Sequence, residues 1–234
     1  MFFVQQNIYT QNIDGGLIIG VSTAQVSGDR LAGFNKAGIL FGAFANISLS
    51  EITKFQMELT YIEKGSNNPK IETNNIPDIS LKYIEIPLIL KYQQSENIYI
   101  ELGGQCGVLM HGLDEDMYGI IDKSRINEFS NIDIGALAGF YYEFFKNTTL
   151  NTRISNSILA IRDHASGSTT TLNKGQYNSV LSFSIHYDLF TPYTNKDDNY
   201  LNDDYYANVD FAKLEAEDED GDLVLDIDDY CPNT

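Results

Sequence analysis

The stretch LKYIEIPLILKY (residues 81–92) alternates between apolar and polar side chains with a period of two. Its even positions from residue 84 are apolar or aromatic: Ile84, Ile86, Leu88, Leu90 and Tyr92. Its odd positions include Tyr83, Glu85 and Lys91. Successive side chains of a β-strand point to opposite faces, so the alternation predicts a strand with one apolar and one polar face. Pro87 cannot donate a hydrogen bond to a neighbouring strand, and we therefore expect a β-bulge there.

Seven other segments complete a set of eight predicted strands, and most of them alternate in the same way. They lie at about 14–25, 35–49, 53–65, 98–108, 131–143, 150–160 and 181–189. A tilted strand needs roughly 9–11 residues to cross the hydrocarbon of a membrane, whereas strands of soluble sheets are usually roughly 5–6 residues long. The lengths of the segments therefore favour strands that cross a membrane.

The connections between these segments alternate in length. Short connections are expected at 50–52, 94–96 and 145–147. Long polar connections are expected at 26–34, 66–78, 112–126 and 164–176. Short turns at one rim and long loops at the other are typical of outer-membrane barrels. An even number of strands returns both termini to the short-turn rim, which is the periplasmic one in such barrels.

The direction of the apolar face distinguishes a membrane barrel from a soluble, lipocalin-like barrel. The apolar face points outward in a membrane barrel and inward in a soluble one. The polar face carries glycines and charged side chains: Glu58, Glu85, Lys91, Glu101, Asp133, Glu143 and Arg153. An eight-stranded lumen is just wide enough for side chains to fill, and glycines with paired charges fit it. The apolar face fits lipid, and tyrosines near strand ends would form an interfacial girdle: Tyr61, Tyr92, Tyr142 and Tyr187. We predict an all-β, eight-stranded antiparallel up-and-down transmembrane β-barrel, with the soluble barrel as the alternative.

The charge of the chain is unevenly distributed. The formal net charge of the 234 residues is −18, which argues against a nucleic-acid partner because phosphates would be repelled. Residues 194–234 hold fourteen Asp and Glu against two Lys. We therefore expect four parts: an N-terminal remnant at 1–12, interpreted as the end of a signal peptide, the barrel at 13–190, an acidic linker at 191–216 and a distinct motif at 217–234.

Three segments resemble the PorT-like outer-membrane β-barrel family. Residues 83–92, YIEIPLILKY, resemble that family's YxEIPLLLKY strand. Residues 56–65, QMELTYIEKG, are similar to its QPELLYxxKG strand, with Met57 in place of Pro, and residues 99–107 are similar to its LEaGPQvG strand, with Gly104 in place of Pro. The resemblance implies an outer-membrane barrel in a Gram-negative bacterium, with no assigned catalytic site and, in some members, a role in secretion or gliding machinery. The segment ending at Phe190 resembles the aromatic-ended signal by which such barrels are recognised for insertion.

The acidic C-terminus carries the spacing of a calcium-binding loop. Carboxylates occupy relative positions 1, 3, 5, 9 and 12, and the residue at position 7 would contribute its carbonyl oxygen. These candidate Ca²⁺ ligands are Asp218, Asp220, Asp222, Val224, Asp226 and Asp229. Leu223 stands at position 6, where glycine is usual, and we expect it to lower the affinity. The segment 217–234 also resembles a thrombospondin type 3 repeat, which implies a periplasmic stalk; a disordered acidic tail is the alternative.

We expect the other titratable residues to have ordinary structural roles. Glu85, Glu101 and Arg153 could form an acid/base site, but charges inside a narrow barrel are expected to pair with one another. Acidic and histidine side chains of the expected outer loops are interpreted as solvated loop charge: His111, Asp114, Glu115, Asp116, Asp163 and His164. His186 is expected to face the lumen as a hydrogen-bonding residue. No Cys/His metal spacing occurs around Cys106 or Cys231, and we predict that the chain is not an enzyme.

Three functions are compatible with these patterns. The preferred hypothesis is a structural or anchoring protein of the outer membrane, in contact with lipid, whose calcium-binding stalk leads to a periplasmic partner such as peptidoglycan through an OmpA-like domain that this sequence lacks. The second is an accessory component of a secretion or transport machinery, as the PorT resemblance implies. The third is a barrel that binds a small ligand.

Overall fold

A computed structural model describes residues 13–69, 71, 76–121, 128–163 and 175–190 of the chain. These residues all belong to the first of two units into which the chain divides, Met1–Pro192. They contain eight long strands: β1 (Ile13–Ser27), β2 (Lys36–Ser48), β3 (Thr53–Ser66), β4 (Asp78–Ser95), β5 (Ile98–Asp116), β7 (Ile132–Phe145), β8 (Thr148–Ser157) and β10 (Gly175–Phe190). Two-residue strands complete the set: β6 (Gly119–Ile120) and β9 (Arg162–Asp163).

The eight long strands form a closed antiparallel barrel. Each pairs with the next along the chain, in the order β1, β2, β3, β4, β5, β7, β8, β10. The last strand then pairs with the first, from Ser27 opposite Tyr177 to Gly15 opposite Phe190. Closure leaves no long strand without a neighbour, so each pairs with another long strand on both sides. The predicted eight-stranded up-and-down barrel is confirmed.

The two faces of the strands point as the alternation predicts. On β4 and β5 the apolar side chains of Ile86 and Leu102 point out of the barrel, with exposed fractions of 46% and 62%. Ile134 on β7 and Phe183 on β10 are also exposed. The polar set on the opposite face is buried in the lumen, apart from the half-buried Glu143: Glu58, Glu85, Lys91, Glu101, Asp133 and Arg153. The soluble barrel, which requires the reverse arrangement, is therefore wrong.

The β-bulge predicted at Pro87 is wrong. Pro87 lies opposite Gln105 of β5, in a register that continues through both flanking residues. On the β3 side the pairing omits Glu58–Pro87 and Leu59–Ile86, but it resumes on each side in the same register. The missing N–H of proline thus interrupts the β3–β4 ladder locally without adding a residue. Register shifts of the β4–β5 pair occur instead between Lys82 and Tyr83 and between Gln93 and Ser95.

The two ends of the barrel differ, as the connection lengths predict. At one end, named here the short-turn end, residues 49–52, 96–97 and 146–147 join consecutive strands. At the other, the long-loop end, the connection after β1 spans 28–35 and that after β3 spans 67–77. The start predicted for the loop at 112–126 is wrong, because β5 continues to Asp116 and then turns tightly into β6. Gly119, the first residue of β6 directly after that turn, has a φ of 113°, which glycine adopts without steric cost.

Several predictions fall outside the described residues. They are the N-terminal remnant at 1–12, the acidic linker at 191–216, the calcium loop with its ligands at 218–229, His164 and Cys231. The part of the chain that is described contains no helix that is both long and apolar enough to span a membrane.

Candidate functional site: the barrel interior and its outer surface

The centre of the lumen is built around one guanidinium group. Arg153 on β8 donates from Nη1 to Glu58 Oε2 and from Nη2 to Glu58 Oε1, both at 2.8 Å. It also donates from Nε to Glu101 Oε1 at 2.8 Å and from Nη2 to Glu101 Oε2 at 2.9 Å. Paired bonds of this kind are the strongest geometry for Arg with carboxylates. Arg153 thereby ties β8 to β3 and β5 through the lumen.

Neutral and cationic groups complete this central network. The hydroxyl of Tyr141 accepts from Arg153 Nη2 at 2.9 Å and from Gln56 Nε2 at 3.0 Å. Lys91 donates to Gln56 Oε1 at 2.9 Å, and its Nζ lies 3.6 Å from the centroid of the Tyr141 ring. Asn151 Nδ2 donates to Glu101 Oε1 at 3.1 Å. Two carboxylates and two cations therefore share one buried hydrogen-bonded network, which is balanced in charge.

A second polar cluster lies closer to the long-loop end. Lys64 on β3 forms ion pairs with Glu85 on β4 and, at 3.3 Å, with Asp133 on β7. Asn178 Nδ2 donates to Asp133 Oδ2 at 2.9 Å, and Gln105 Nε2 donates to Glu85 Oε1 at 3.3 Å. The cluster fills the space between the walls of the barrel, so its charged groups are desolvated and depend on one another.

The acid/base alternative does not fit these contacts. Glu101 is bound by Arg153 in the central network, whereas Glu85 is bound by Lys64 in the second cluster. Each carboxylate is thus paired with a buried cation, as the structural interpretation of these residues predicts. His186 likewise faces the lumen, where its Nε2 lies 3.1 Å from Ser184 Oγ and its ring contacts Tyr141 edge-on.

Apolar side chains fill the lumen nearer the long-loop end, which the sequence analysis missed. They belong to the inward-facing parity of several strands and form one buried cluster that includes Ala24, Val26, Leu40, Ile62, Ile79, Leu81, Ile161 and Val180. Leu109 and Phe129 pack against it. Parity could have located Leu81 and Val180, since each is two residues from an inward-facing side chain of its own strand. The inside of this barrel therefore has an apolar layer nearer the long-loop end, and the same cluster continues along β1 and β2 through Ile18 and Phe44.

Asp114 corrects the interpretation of the outer acidic residues as solvated loop charge. It lies within β5, is buried, and accepts from Arg162 Nη1 at 2.8 Å. Arg162 also donates from Nε to Gln176 Oε1 and lies over the ring of Phe129.

Nearby in the β1–β2 loop, burial raises the pKa of Asp29, although Leu31 N–H donates to its carboxylate at 2.8 Å. His111 and Glu115 are exposed on β5, as expected.

A small polar cavity opens at the short-turn end of the lumen. Its volume is about 40 Å³, and its lining includes Asp14, Lys54, Glu143, His186 and Asp188. Lys54 Nζ pairs with Asp14 Oδ2 at 3.0 Å. Such a volume holds roughly one to three water molecules. Within the described ranges, no group of three or more His, Cys, Asp and Glu side chains is placed to hold a metal ion.

The outer surface carries an apolar belt bounded by charge and by aromatic rings. On β4 the belt runs from Ile84 to Tyr92, nine residues, which is the length that a membrane-crossing strand requires. Just beyond it the outward-facing Lys82 and Glu63 pair at 3.6 Å. At the short-turn end three of the predicted girdle tyrosines are exposed on the outside: Tyr92, Tyr142 and Tyr187. Tyr61, the fourth, lies towards the other boundary and donates its hydroxyl hydrogen to Glu63 at 2.9 Å.

Comparison with solved structures finds three similar proteins, and the first of them has the same fold. Neisserial surface protein A is 13% identical, with a TM-score of 0.50, over 74% of this chain and 96% of that chain. Ail, the attachment invasion locus protein of Yersinia pestis, is 12% identical, with a TM-score of 0.48, over 76% and 99%. OprG from Pseudomonas aeruginosa is 12% identical, with a TM-score of 0.37, over 78% and 96%. No curated protein matches the sequence significantly.

The family of the chain is shown by a family model, because similarity to such distant solved structures shows only the fold. The outer membrane protein beta-barrel domain matches residues 5–161, about two thirds of the chain. The match covers β1 to β8, hence the strands that carry most of the apolar belt and the buried ion pairs. The belt is accordingly in contact with membrane lipid. The chain belongs to the outer membrane protein beta-barrel domain family.

Proposed function

We propose that this protein is a non-conducting, non-catalytic anchor of the outer membrane, which presents its long-loop end outside the cell and its acidic tail in the periplasm. The observation that carries the proposal is the filled lumen. Arg153 joins the walls through Glu58 and Glu101, and the apolar cluster around Leu81 closes the space nearer the long-loop end. A barrel filled in this way offers an embedded scaffold rather than a path for solutes.

The proposed orientation follows from the two ends of the barrel. Outer-membrane barrels carry short turns on the periplasmic side and longer loops on the extracellular side. The short-turn end holds Ile13 and Phe190, the first and last residues of the barrel. The chain after β10 would therefore continue into the periplasm, where the acidic linker and the calcium loop at 217–234 could form a stalk towards peptidoglycan or another partner.

Labelling in cells tests the orientation. In a Cys106→Ser, Cys231→Ser background, Tyr118→Cys places a thiol at the exposed tip of the β5–β6 turn, and Glu96→Cys places one in a short turn. A membrane-impermeant maleimide should label position 118 in intact cells and position 96 only after the outer membrane is permeabilised. Labelling of position 96 alone in intact cells would reverse the proposed orientation.

Bilayer recordings test the closed lumen. The purified full chain, inserted in a planar bilayer at neutral pH, should give no steady ionic current, whereas a reconstituted porin confirms that the bilayer reports open channels. Long-lived open-channel currents from the wild-type chain would contradict the proposed anchor function.

Two alternative functions have less support. The filled lumen disfavours a ligand bound inside the barrel, and a role in secretion is supported only by the PorT resemblance.

A further inference from the structure

The lipid-facing belt contains one broad outer groove. It crosses four consecutive strands, β2, β1, β10 and β8, and has a cavity volume of about 770 Å³. Pockets for small ligands usually span about 300–1,000 Å³. Backbone pairing sets its side chains in two rows. One row runs Phe41, Ile19, Ile185, Leu150. The next runs Ile39, Val21, Phe183, Thr152.

Contacts at the two sides of the groove keep it open. On the β2 side the ring of Phe41 stacks on Tyr61 of β3, with centroids 4.9 Å apart, so it leans on a neighbour outside the groove. On the β8 side Thr152 has only a short side chain. Between them Ile19, on β1, is 67% exposed. The floor is thus made of Ile19 and Val21 on β1 with Phe183 and Ile185 on β10, and the stacked ring of Phe41 stands at one edge.

The chemistry of the lining selects an apolar occupant. Thr152 carries the only polar side chain that the groove turns outward, since its neighbours Asn151 and Ser184 point into the lumen. A charged headgroup would therefore find no partner here. The groove is also continuous with the belt that contacts lipid, and on β8 it reaches Leu150, close to the short turn at 146–147.

We propose that the outer groove is a binding site for one phospholipid acyl chain, from the leaflet on the short-turn side. An acyl chain binds in the groove more tightly than on the rest of the belt. This difference comes from packing rather than from the hydrophobic effect, because a lipid tail is already in hydrocarbon before it binds. Dispersion contacts grow with the number of atom pairs at close range, and a concave wall supplies more of them than a convex one. The preference over the rest of the belt is accordingly severalfold.

Photocrosslinking tests the site in the full chain. The protein is reconstituted in vesicles of phosphatidylethanolamine, a fraction of which carries a diazirine in the middle of one acyl chain, and the adducts are mapped by mass spectrometry. We expect adducts severalfold more frequent around Ile19, Val21 and Phe183 than around Leu88 and Leu102 on the far wall. Thr152→Phe, which fills the groove, should abolish the excess, whereas Cys106→Phe, outward on β5, should leave it unchanged.

The result that overturns the proposal is equally specific. Even labelling around the belt, or an excess that persists in Thr152→Phe, would show that the groove holds no chain. Fewer lipid adducts around Val21 than on the far wall would show that something other than a lipid chain covers the groove. Should Thr152→Phe fail to fold, Val21→Phe obstructs the same space from β1, and the wild-type distribution alone still distinguishes even from uneven labelling.

Discussion

Arg153 and Glu58 face each other from opposite walls of the barrel and form two parallel hydrogen bonds, each 2.8 Å long. Three strands separate β3 from β8 in either direction around the barrel. The two residues are 95 positions apart in sequence. Because Glu101 binds the same guanidinium, one cation joins two buried carboxylates, and Lys91 supplies the second positive charge of the network. This relationship makes the lumen a polar core that links the walls.

Removal of Arg153 should destabilise the barrel strongly. Arg153→Met leaves Glu58 and Glu101 buried without their main cation, and loss of one partner of a buried pair costs about 3–5 kcal/mol. We expect a corresponding decrease in the free energy of unfolding, measured by urea titration of the protein in lipid vesicles. Lys82→Met, which removes the partly exposed pair with Glu63, is the matched control and should cost at most about 1 kcal/mol.

Neutralising the carboxylates should reverse much of that loss. In Arg153→Met, the further changes Glu58→Gln and Glu101→Gln remove the two buried carboxylates that have lost their main cation and leave Lys91 as the one charge of the central network, and amides can still bond to Tyr141 and Gln56. The triple variant should therefore be more stable than Arg153→Met alone. Equal stability of the two would show that packing of the Arg153 side chain, rather than its charge, holds the walls together.

Gly139 lies where a side chain has no room. A Cβ at Gly139 would overlap the carbonyl oxygen of Thr152 and crowd Glu101 in the lumen. Gly139→Ala should destabilise the barrel by about 1–3 kcal/mol, the usual cost of overpacking. Gly104→Ala is the control, because a Cβ there points outward and comes no closer than 3.6 Å to Gly135 O. Both are measured by the same urea titration, and equal effects would contradict the close approach.

Calcium binding by the intact chain tests the proposed stalk. Isothermal titration of the wild-type protein should give a saturable signal, because carboxylates at 218–229 occur at the spacing of a calcium loop. Asp220→Ala with Asp229→Ala removes two of these ligands and should abolish it. Asp203→Ala with Asp204→Ala removes as much charge outside the loop and should bind normally. Identical titrations for the wild type and the 220/229 variant would reject the site.

The outward face of the barrel could be predicted from sequence because alternation reports directly on strand geometry. Ile86 and Leu102 were placed correctly, since every second residue of a strand must share a face. The inward charges followed from the same parity. Pro87 was misjudged because the sequence shows only that an N–H is missing. It does not show that the gap can fall on one side of the strand and leave the register unchanged.

Partners across the lumen could not be predicted. Parity places Arg153 and Glu58 inside, but their contact depends on the stagger and closure of eight strands, which no local pattern records. The apolar layer around Val26 and Leu81 was missed for a related reason. Where inward side chains are apolar as well, the alternation weakens, and the segment is no longer distinguishable from a loop boundary or an ordinary core strand.

Accessibility along β5 tests the central claim most directly. Spin labels are attached one at a time at positions 98–108 of the chain in vesicles. Cys231 is replaced by Ser in every variant, and Cys106 is replaced by Ser in every variant except the one labelled at position 106. The rate at which each label collides with oxygen, which concentrates in lipid, is then measured. The account predicts high rates at even positions such as Leu102 and low rates at odd positions such as Glu101. High rates at the odd positions, or rates without a period of two, would contradict a barrel that turns its apolar face to lipid.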